Sequence, residues 1–459
     1  MSKKEVTIDI TKRPENTQND GKGGYYYESN SGRVNLTEEW YPDLEGTYIK
    51  LTHTPKNPKE KITGIFYSRS KQNGFEQANL SSCESISVFY WSLDSTRTKP
   101  LLIQLGERDN EYYTNNRGNT WTKNGDINDA NTLRQKLDEQ NCLKNGAHLI
   151  DIGQKGSGRN YNCPSCSQQK LRVYYSSGPG TPYYGHHIRN SFPGSLSGFK
   201  NGSSWPSGLP SVQNVKFIFV YWNRSVPSLI VAQSRPERYF RINAGNLKSW
   251  IEVSDKSTDV ATPTLALDLS KTDGKYPYRN TNAKIIVAVL LSHIGGGYYR
   301  LQYSLRGSLF NVKSVSHNDT QLSGIDSTDL LLSVSAYYLG DSPESLDRLL
   351  LVELSINATH HTTYKYFHRE TKGAKVWSKY LGSGGGTTRL QGNALKRALD
   401  ELKNIHFPDP PPSIGKQIAD FFQKTEGIIT ASVTPGIGGL IGLGIWKGPA
   451  LIARLIARL

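Results

Sequence analysis

Phe217-Ile-Phe-Val-Tyr-Trp222, then Pro227-Ser-Leu-Ile-Val231, then Tyr239-Phe240 and Trp250 is the stretch of this chain that decides its fold. It reads as an aromatic strand, an apolar strand, an aromatic pair and a lone Trp. The same order lies upstream: Ile86-Ser-Val-Phe-Tyr-Trp91, Pro100-Leu-Leu-Ile-Gln-Leu105, Tyr112-Tyr113 and Trp121. Downstream it returns as Leu332-Ser-Val-Ser-Ala-Tyr-Tyr338, Leu349-Leu-Leu-Val-Glu-Leu354, Tyr366-Phe367 and Trp377. Tyr112, Tyr239 and Tyr366 stand at equal intervals of 127 residues, and the Trp residues at intervals of 129 and 127. A period far beyond the ~20–50 residues of a solenoid repeat predicts tandem domains.

Working outward, each copy opens on an alternating apolar segment with one Asp: Thr7-Ile-Asp-Ile10, Leu149-Ile-Asp-Ile152 and Ala266-Leu-Asp-Leu269. Alternation at period two marks a strand with one buried face. Copies one and three close on helix-like stretches, Asn131–Glu139 and Asn393–Glu401, each with an Asn placed to cap it and two Leu four residues apart. Copy two has Pro263 and Thr-rich sequence there, which argues against a helix. The expectation is a mainly β chain with minor α: three tandem β-sandwich-like modules at 1–146, 147–262 and 263–407. The aromatic strands and pairs should face inward, with Trp121, Trp250 and Trp377 plugging the cores. A Pro-rich linker at 408–412 and an apolar, helical C-terminal tail at 413–459 complete it.

Composition bounds the partners. The chain has 459 residues, 10 % aromatics and a net charge of +15. Residues 1–146 are balanced, 20 Lys+Arg against 20 Asp+Glu, whereas residues 147–262 carry 13 against 5. An unknown protein or anionic ligand drawn by charge should therefore meet the middle copy. No dense Lys/Arg run is present, so nucleic acid is an unfavoured partner. The polar N-terminus shows no secretory leader of the usual kind.

Few residues suggest chemistry. Cys163-Pro-Ser-Cys166 is half of a zinc site, and tetrahedral zinc wants four ligands. Cys83 and Cys142 could complete it, but they fall in another module and show no partner spacing, so free or paired thiols are expected. His186-His187 and His360-His361 are adjacent pairs; neighbours on a strand point opposite ways, and surface positions are expected. Arg235-Pro-Glu-Arg-Tyr-Phe-Arg241 differs from its acidic counterpart Gly106–Tyr113 and its His- and Lys-bearing counterpart Thr359–Phe367. A constant core with a variable flank suits a binding loop, here Arg235, Arg238, Tyr239 and Arg241. There is no Walker loop, nucleophile elbow or HExxH. No catalytic residue, cofactor site or metal site is assigned, and an enzyme is not expected.

Phe89-Tyr-Trp-Ser-Leu-Asp94, the Pro-Leu-Leu-Ile strand, the Tyr-Tyr…Trp spacing and Trp446-Lys-Gly-Pro-Ala-Leu-Ile-Ala-Arg-Leu-Ile-Ala-Arg-Leu459 together resemble a lineage-expanded repeat family of piroplasm parasites, the Theileria and Babesia group. Leu339 stands where Trp91 and Trp222 stand in the other copies, a departure from the pattern. The resemblance implies a multigene family acting at the parasite–host boundary and brings no catalytic residues.

Residues 427–446 contain no charge and match the ~20 residues that span a bilayer. Ile428, Ile429, Leu440, Ile441, Leu443, Ile445, Trp446 and Lys447 form the candidate anchor, with Gly438 and Gly442 as a small-xxx-small step. Six Gly and one Pro weaken a spanning helix, so an interfacial dip into one leaflet is the other form it could take. The expected role is a non-enzymatic, multi-module binding or antigenic protein at the parasite surface, membrane-associated through its tail. The alternative is a soluble effector or scaffold in the host cytoplasm. Full-length protein should resist carbonate extraction while a chain truncated after Pro412 is released; equal release of both would remove the anchor.

Overall fold

The computed structural model describes residues 5–408 apart from 20–23, 31, 107–110, 116–117, 157, 178–181, 189–192, 257–259, 278–281, 341–342, 344, 359–360 and 383–386. The candidate anchor, Ile428 to Lys447, lies outside the described residues, as do His360 and the acidic flank 107–110. Within them no helix is long and apolar enough to cross a membrane. The chain is mainly β, with helices α1 (Ala130–Asn145) and α2 (Gly392–His406).

The Asp-bearing segments form strands for the reason their alternation gives. Glu5–Asp9 buries Val6 and Ile8 completely and pairs in parallel with Lys61–Tyr67. Ala147–Asp151 pairs in the same way with Gly194–Lys200, and Thr264–Asp268 with Asn311–His317. In all three the register slips after the second residue, between Val6 and Thr7, His148 and Leu149, and Leu265 and Ala266. The Asp itself holds a turn. Asp9 Oδ1 accepts from the N–H groups of Thr11 and Ser68, both at 3.0 Å. Asp151 takes Gly153 and Gly202, and Asp268 takes Ser270 and Asn318, at 3.0–3.1 Å. Ser68, Gly202 and Asn318 all have positive φ, and the carboxylate secures that left-handed turn.

From the turn the chain runs to a glycine set against a Trp backbone. Gly74, Gly208 and Gly324 have φ of +95°, +86° and +91°, and a Cβ on each would lie 1.8, 1.8 and 2.2 Å from the carbonyl oxygens of Trp121, Trp250 and Trp377. Only glycine permits this approach. The preceding residue's carbonyl then accepts the Trp N–H: Asn73 from Trp121, Ser207 from Trp250 and Ser323 from Trp377, at 2.7–2.9 Å. Each indole is 2 % exposed, so all three are core residues.

The remaining strands form antiparallel meanders that join across the expected boundaries. Gly32–Tyr41 pairs with Ala288–Gly295, so strands from the first and third segments share a sheet of fourteen strands among the described residues. Asn246–Val253 pairs with Lys284–Ile286, carrying the sheet of the second segment, nine strands among the described residues, into the third. Met1–His406 accordingly make one compact unit. The helices bury the leucines that suggested them, Leu133 with Leu137 and Leu395 with Leu399. The cap of α1 is Asp129, not Asn131: its carboxylate accepts the Thr132 N–H at 2.7 Å while Thr132 Oγ1 accepts the Asp129 N–H at 3.0 Å. Among the described residues no helix closes the second segment.

The turn Pro42–Gly46 of the first segment packs into the third. Asp43 meets Arg300 and Arg389, each at 2.7 Å, Ser304 donates to the Leu44 carbonyl at 3.1 Å, and Arg306 donates to the Glu45 carbonyl. Arg389 also faces the buried Glu353, which accepts from Tyr337 and Tyr366 at 3.0 Å. Burial alone would raise the Asp43 pKa, but the two guanidiniums outweigh it and hold the carboxyl at about 2. A depressed pKa gives stability that is present above the unfolded value near ~3.9 and is lost as pH falls towards the folded value. Thermal melts of Asp43→Asn should therefore start lower at neutral pH and lose the part of the wild-type decline between about pH 4 and 2. Gly208→Ala should cost about 3 kcal/mol or prevent folding, whereas Gly202→Ala, whose Cβ meets nothing, should cost about 1 kcal/mol by denaturant melts.

Candidate functional site

The second segment begins where α1 ends, and that junction gathers three of the four cysteines of the chain. Cys142 occupies the last turn of α1, and Gly146 turns the chain out in the left-handed conformation at φ 61°. Two residues on, His148 enters the strand Ala147–Asp151 with its side chain buried. Cys163 and Cys166 lie on the turn between the strands Asn160–Asn162 and Lys170–Ser176. One sulfur or ring nitrogen from each of these four residues falls within 4.8 Å of all the others. Cys142 Sγ is 2.7 Å and Cys166 Sγ 3.8 Å from His148 Nδ1.

The turn is built to present its sulfurs. Cys163 N–H donates to the Gln169 carbonyl at 2.8 Å, Ser167 N–H returns to the Cys163 carbonyl at 3.0 Å, and Ser167 has φ +55°. Cys163 Sγ accepts from the Leu149 N–H at 3.3 Å and lies 3.0 Å from Ser165 Oγ. Hydrogen bonding from Cys142 foremost, with His148, Ser165 and the Cys166 N–H, draws the Cys163 thiol down towards the thiolate, while the Cys142 thiol is pushed up. Cys83 takes no part; its Sγ donates to the Asn79 carbonyl at 3.6 Å.

The sequence reading had the Cys-x-x-Cys and named Cys142, but it set Cys142 aside as belonging to another module and missed His148. The spacing Cys142-x5-His148-x14-Cys163-x2-Cys166 was available. What it lacked was the junction, since only the fold shows that the end of α1 abuts the first strand of the next segment. Of the paired histidines, His361 is exposed as expected and His187 half-buried, but His186 is not at the surface. His186 is fully buried, with Tyr161 Oη 3.1 Å from its Nδ1, because its strand directs it into the core; burial lowers its pKa to about 4.

The candidate loop is largely occupied by its own chain. Arg238 forks onto Glu252 at 2.7 and 2.8 Å and reaches the Ser211 carbonyl at 3.1 Å. Tyr239 donates to Glu237 at 2.8 Å, and Arg241 donates to the Lys256 carbonyl. Arg235 is exposed.

A different surface of this segment faces solvent. Ile218, Val220 and Trp222 turn inward, which sends Phe217, Phe219 and Tyr221 outward and half-exposed. The expectation that the aromatics of this stretch line the inner face holds for Trp222 and is corrected for Phe217, Phe219 and Tyr221. Tyr183 stands opposite Tyr221 and Gly185 opposite Phe219. Ring centroids lie 5.3 Å apart for Tyr183–Phe219, 5.2 Å for Tyr183–Tyr221, 5.9 Å for Tyr174–Phe217 and 5.5 Å for His187–Phe217. Tyr174 lies over Gly185, where a Cβ would come within 2.2 Å of the ring. Lys170 and Arg172 share the face of Tyr174 and are exposed, with Arg172 paired across to His187. The equivalent strand of the first segment, Ile86–Trp91, is buried throughout.

No family model, curated protein or solved structure matches this chain.

Proposed function

We infer that this is a non-enzymatic binding protein, built from three tandem copies of one β module, whose middle copy carries the ligand-facing surface. The repeat reading is supported by the turn-holding Asp, the shared register slip and the glycine–Trp approach, each found three times with the same geometry. The binding reading rests on one observation: the half-exposed aromatic stripe of Tyr174, Tyr183, Phe217, Phe219 and Tyr221, bordered by Lys170 and Arg172 in the most basic segment. Aromatic faces supply contact area at small entropy cost, and the bordering cations draw negative charge. The partner is therefore a protein or other ligand with an anionic, flat-faced epitope. In keeping with the family resemblance, the protein would act at the parasite surface, held to membrane by its tail.

The second reading, a scaffold or effector in the host cytoplasm, is favoured by the gathered cysteines. Thiols persist unpaired in reducing compartments. Protease shaving of intact cells separates the two, since only the surface form is cut.

Binding is testable with dextran sulfate as an anionic probe. Phe219→Ala and Arg172→Glu should each weaken retention about tenfold, close to 1.4 kcal/mol, without lowering the melting temperature by more than a few degrees. Arg235→Glu, outside the stripe, should change it far less. Equal losses from all three would leave only diffuse charge, and no loss from Phe219→Ala would remove the stripe as the site.

A further inference from the structure

We propose that Cys142, His148, Cys163 and Cys166 hold one zinc ion, and that this ion fastens the end of α1 to the opening strand of the second segment. The donor set is three sulfurs and one imidazole nitrogen, the soft composition of closed structural zinc sites. With Zn–S near ~2.3 Å and Zn–N near ~2.0 Å, a tetrahedron places its donors about 3.5–3.8 Å apart. The 3.8 Å between Cys166 and His148 is close to that spacing, whereas Cys142, 2.7 Å from the same nitrogen, must swing outward to take its place. All four donor atoms fall inside a 4.8 Å cluster, so small side-chain rotations complete the shell.

Three features point to an ion and not merely to neighbouring thiols. The Leu149 N–H is directed at Cys163 Sγ from the strand that carries His148, an outer contact that orients a metal thiolate. The turn through Pro164 and Ser165 brings Cys163 and Cys166 round to one side, and the left-handed Ser167 lets the chain leave without crossing them. The third and fourth donors come from α1 and from the strand Ala147–Asp151, elements separated by Gly146 alone. A disulfide would join two of the three sulfurs and leave the third beside His148. A four-coordinate ion uses every donor.

The ligand arrangement has a mechanical consequence. Without the ion, the turn 163–169 is tied to the strand Ala147–Asp151 through few bonds, the Leu149 N–H to Cys163 among them. With it, α1, the first strand of the second segment and that turn become cross-linked through a single metal centre. Binding requires deprotonated thiols and releases protons, and its free energy adds to local stability. The ion occupies all its positions with protein donors, so it serves structure and leaves no site for substrate water.

The test is elemental analysis of the full chain, purified under reducing conditions without added metal. Close to one zinc per chain is expected. Most of it should be lost in Cys163→Ser and His148→Ala and retained in Cys83→Ser. Because the first two variants could misfold, cobalt exchange into the wild-type protein gives an independent reading. Four-coordinate thiolate ligation yields sulfur-to-cobalt charge transfer in the near ultraviolet and an intense visible band. Chelation should also accelerate hydrogen exchange around residues 140–150 while leaving the neighbourhood of Trp377 unchanged. A folded, zinc-free wild-type chain whose cobalt form stays pale would overturn the proposal, as would peptide mapping that recovers Cys142 in a disulfide with Cys163 or Cys166.

Discussion

A glycine carrying no side chain, pressed against the carbonyl of a tryptophan, is the constraint on which the described structure hangs. At Gly74, Gly208 and Gly324 the chain passes so close to Trp121, Trp250 and Trp377 that even a methyl group would overlap backbone. That approach joins the small mixed sheet of each segment to the far end of its meander. It also buries the indole and fixes how far the chain travels between the Asp-held turn and the core. The turn and the glycine act together: the first sets the direction of the outgoing chain, and the second its distance.

The segments are knitted together by charge and by shared strands. Asp43 enters the third segment between two guanidiniums, whose attraction exceeds the desolvation penalty of placing a carboxylate there. Arg306 connects the same turn to the second segment through its own carbonyl, which accepts the Gly208 N–H at 2.8 Å. Between the first and second segments, Trp91 donates to Ser211 and Gln213 donates to the Leu93 carbonyl. A chain with so many cross-ties presents its outer surfaces at fixed positions, which suits the recognition role proposed for the aromatic stripe.

Much of this was legible in the sequence, and what was missed has a physical reason. Alternation at period two located Glu5–Asp9, Ala147–Asp151 and Thr264–Asp268, and the paired leucines located α1 and α2. The spacing of Trp121, Trp250 and Trp377 picked out residues that the structure buries alike. The glycine partners were unreadable, because a close backbone approach leaves no periodic trace. Phe217, Phe219 and Tyr221 were placed inward on aromatic character, although Ile218, Val220 and Trp222 compete for the same core and win it. Arg238 was read as available for a ligand because Glu252 lies one hairpin away and nothing local marks it as the partner. His148 was overlooked because its fellow donors straddle a segment boundary that the chain itself does not respect.

Native-state hydrogen exchange at the amides of Trp121, Trp250 and Trp377 addresses the central claim most directly, namely that one backbone device secures all three segments. Each of these N–H groups donates to the residue before the apposed glycine, inside a buried contact. The account predicts that all three exchange only on large-scale opening, with protection comparable to the central strands. Exchange of any one of them at the rate of an exposed loop would contradict it.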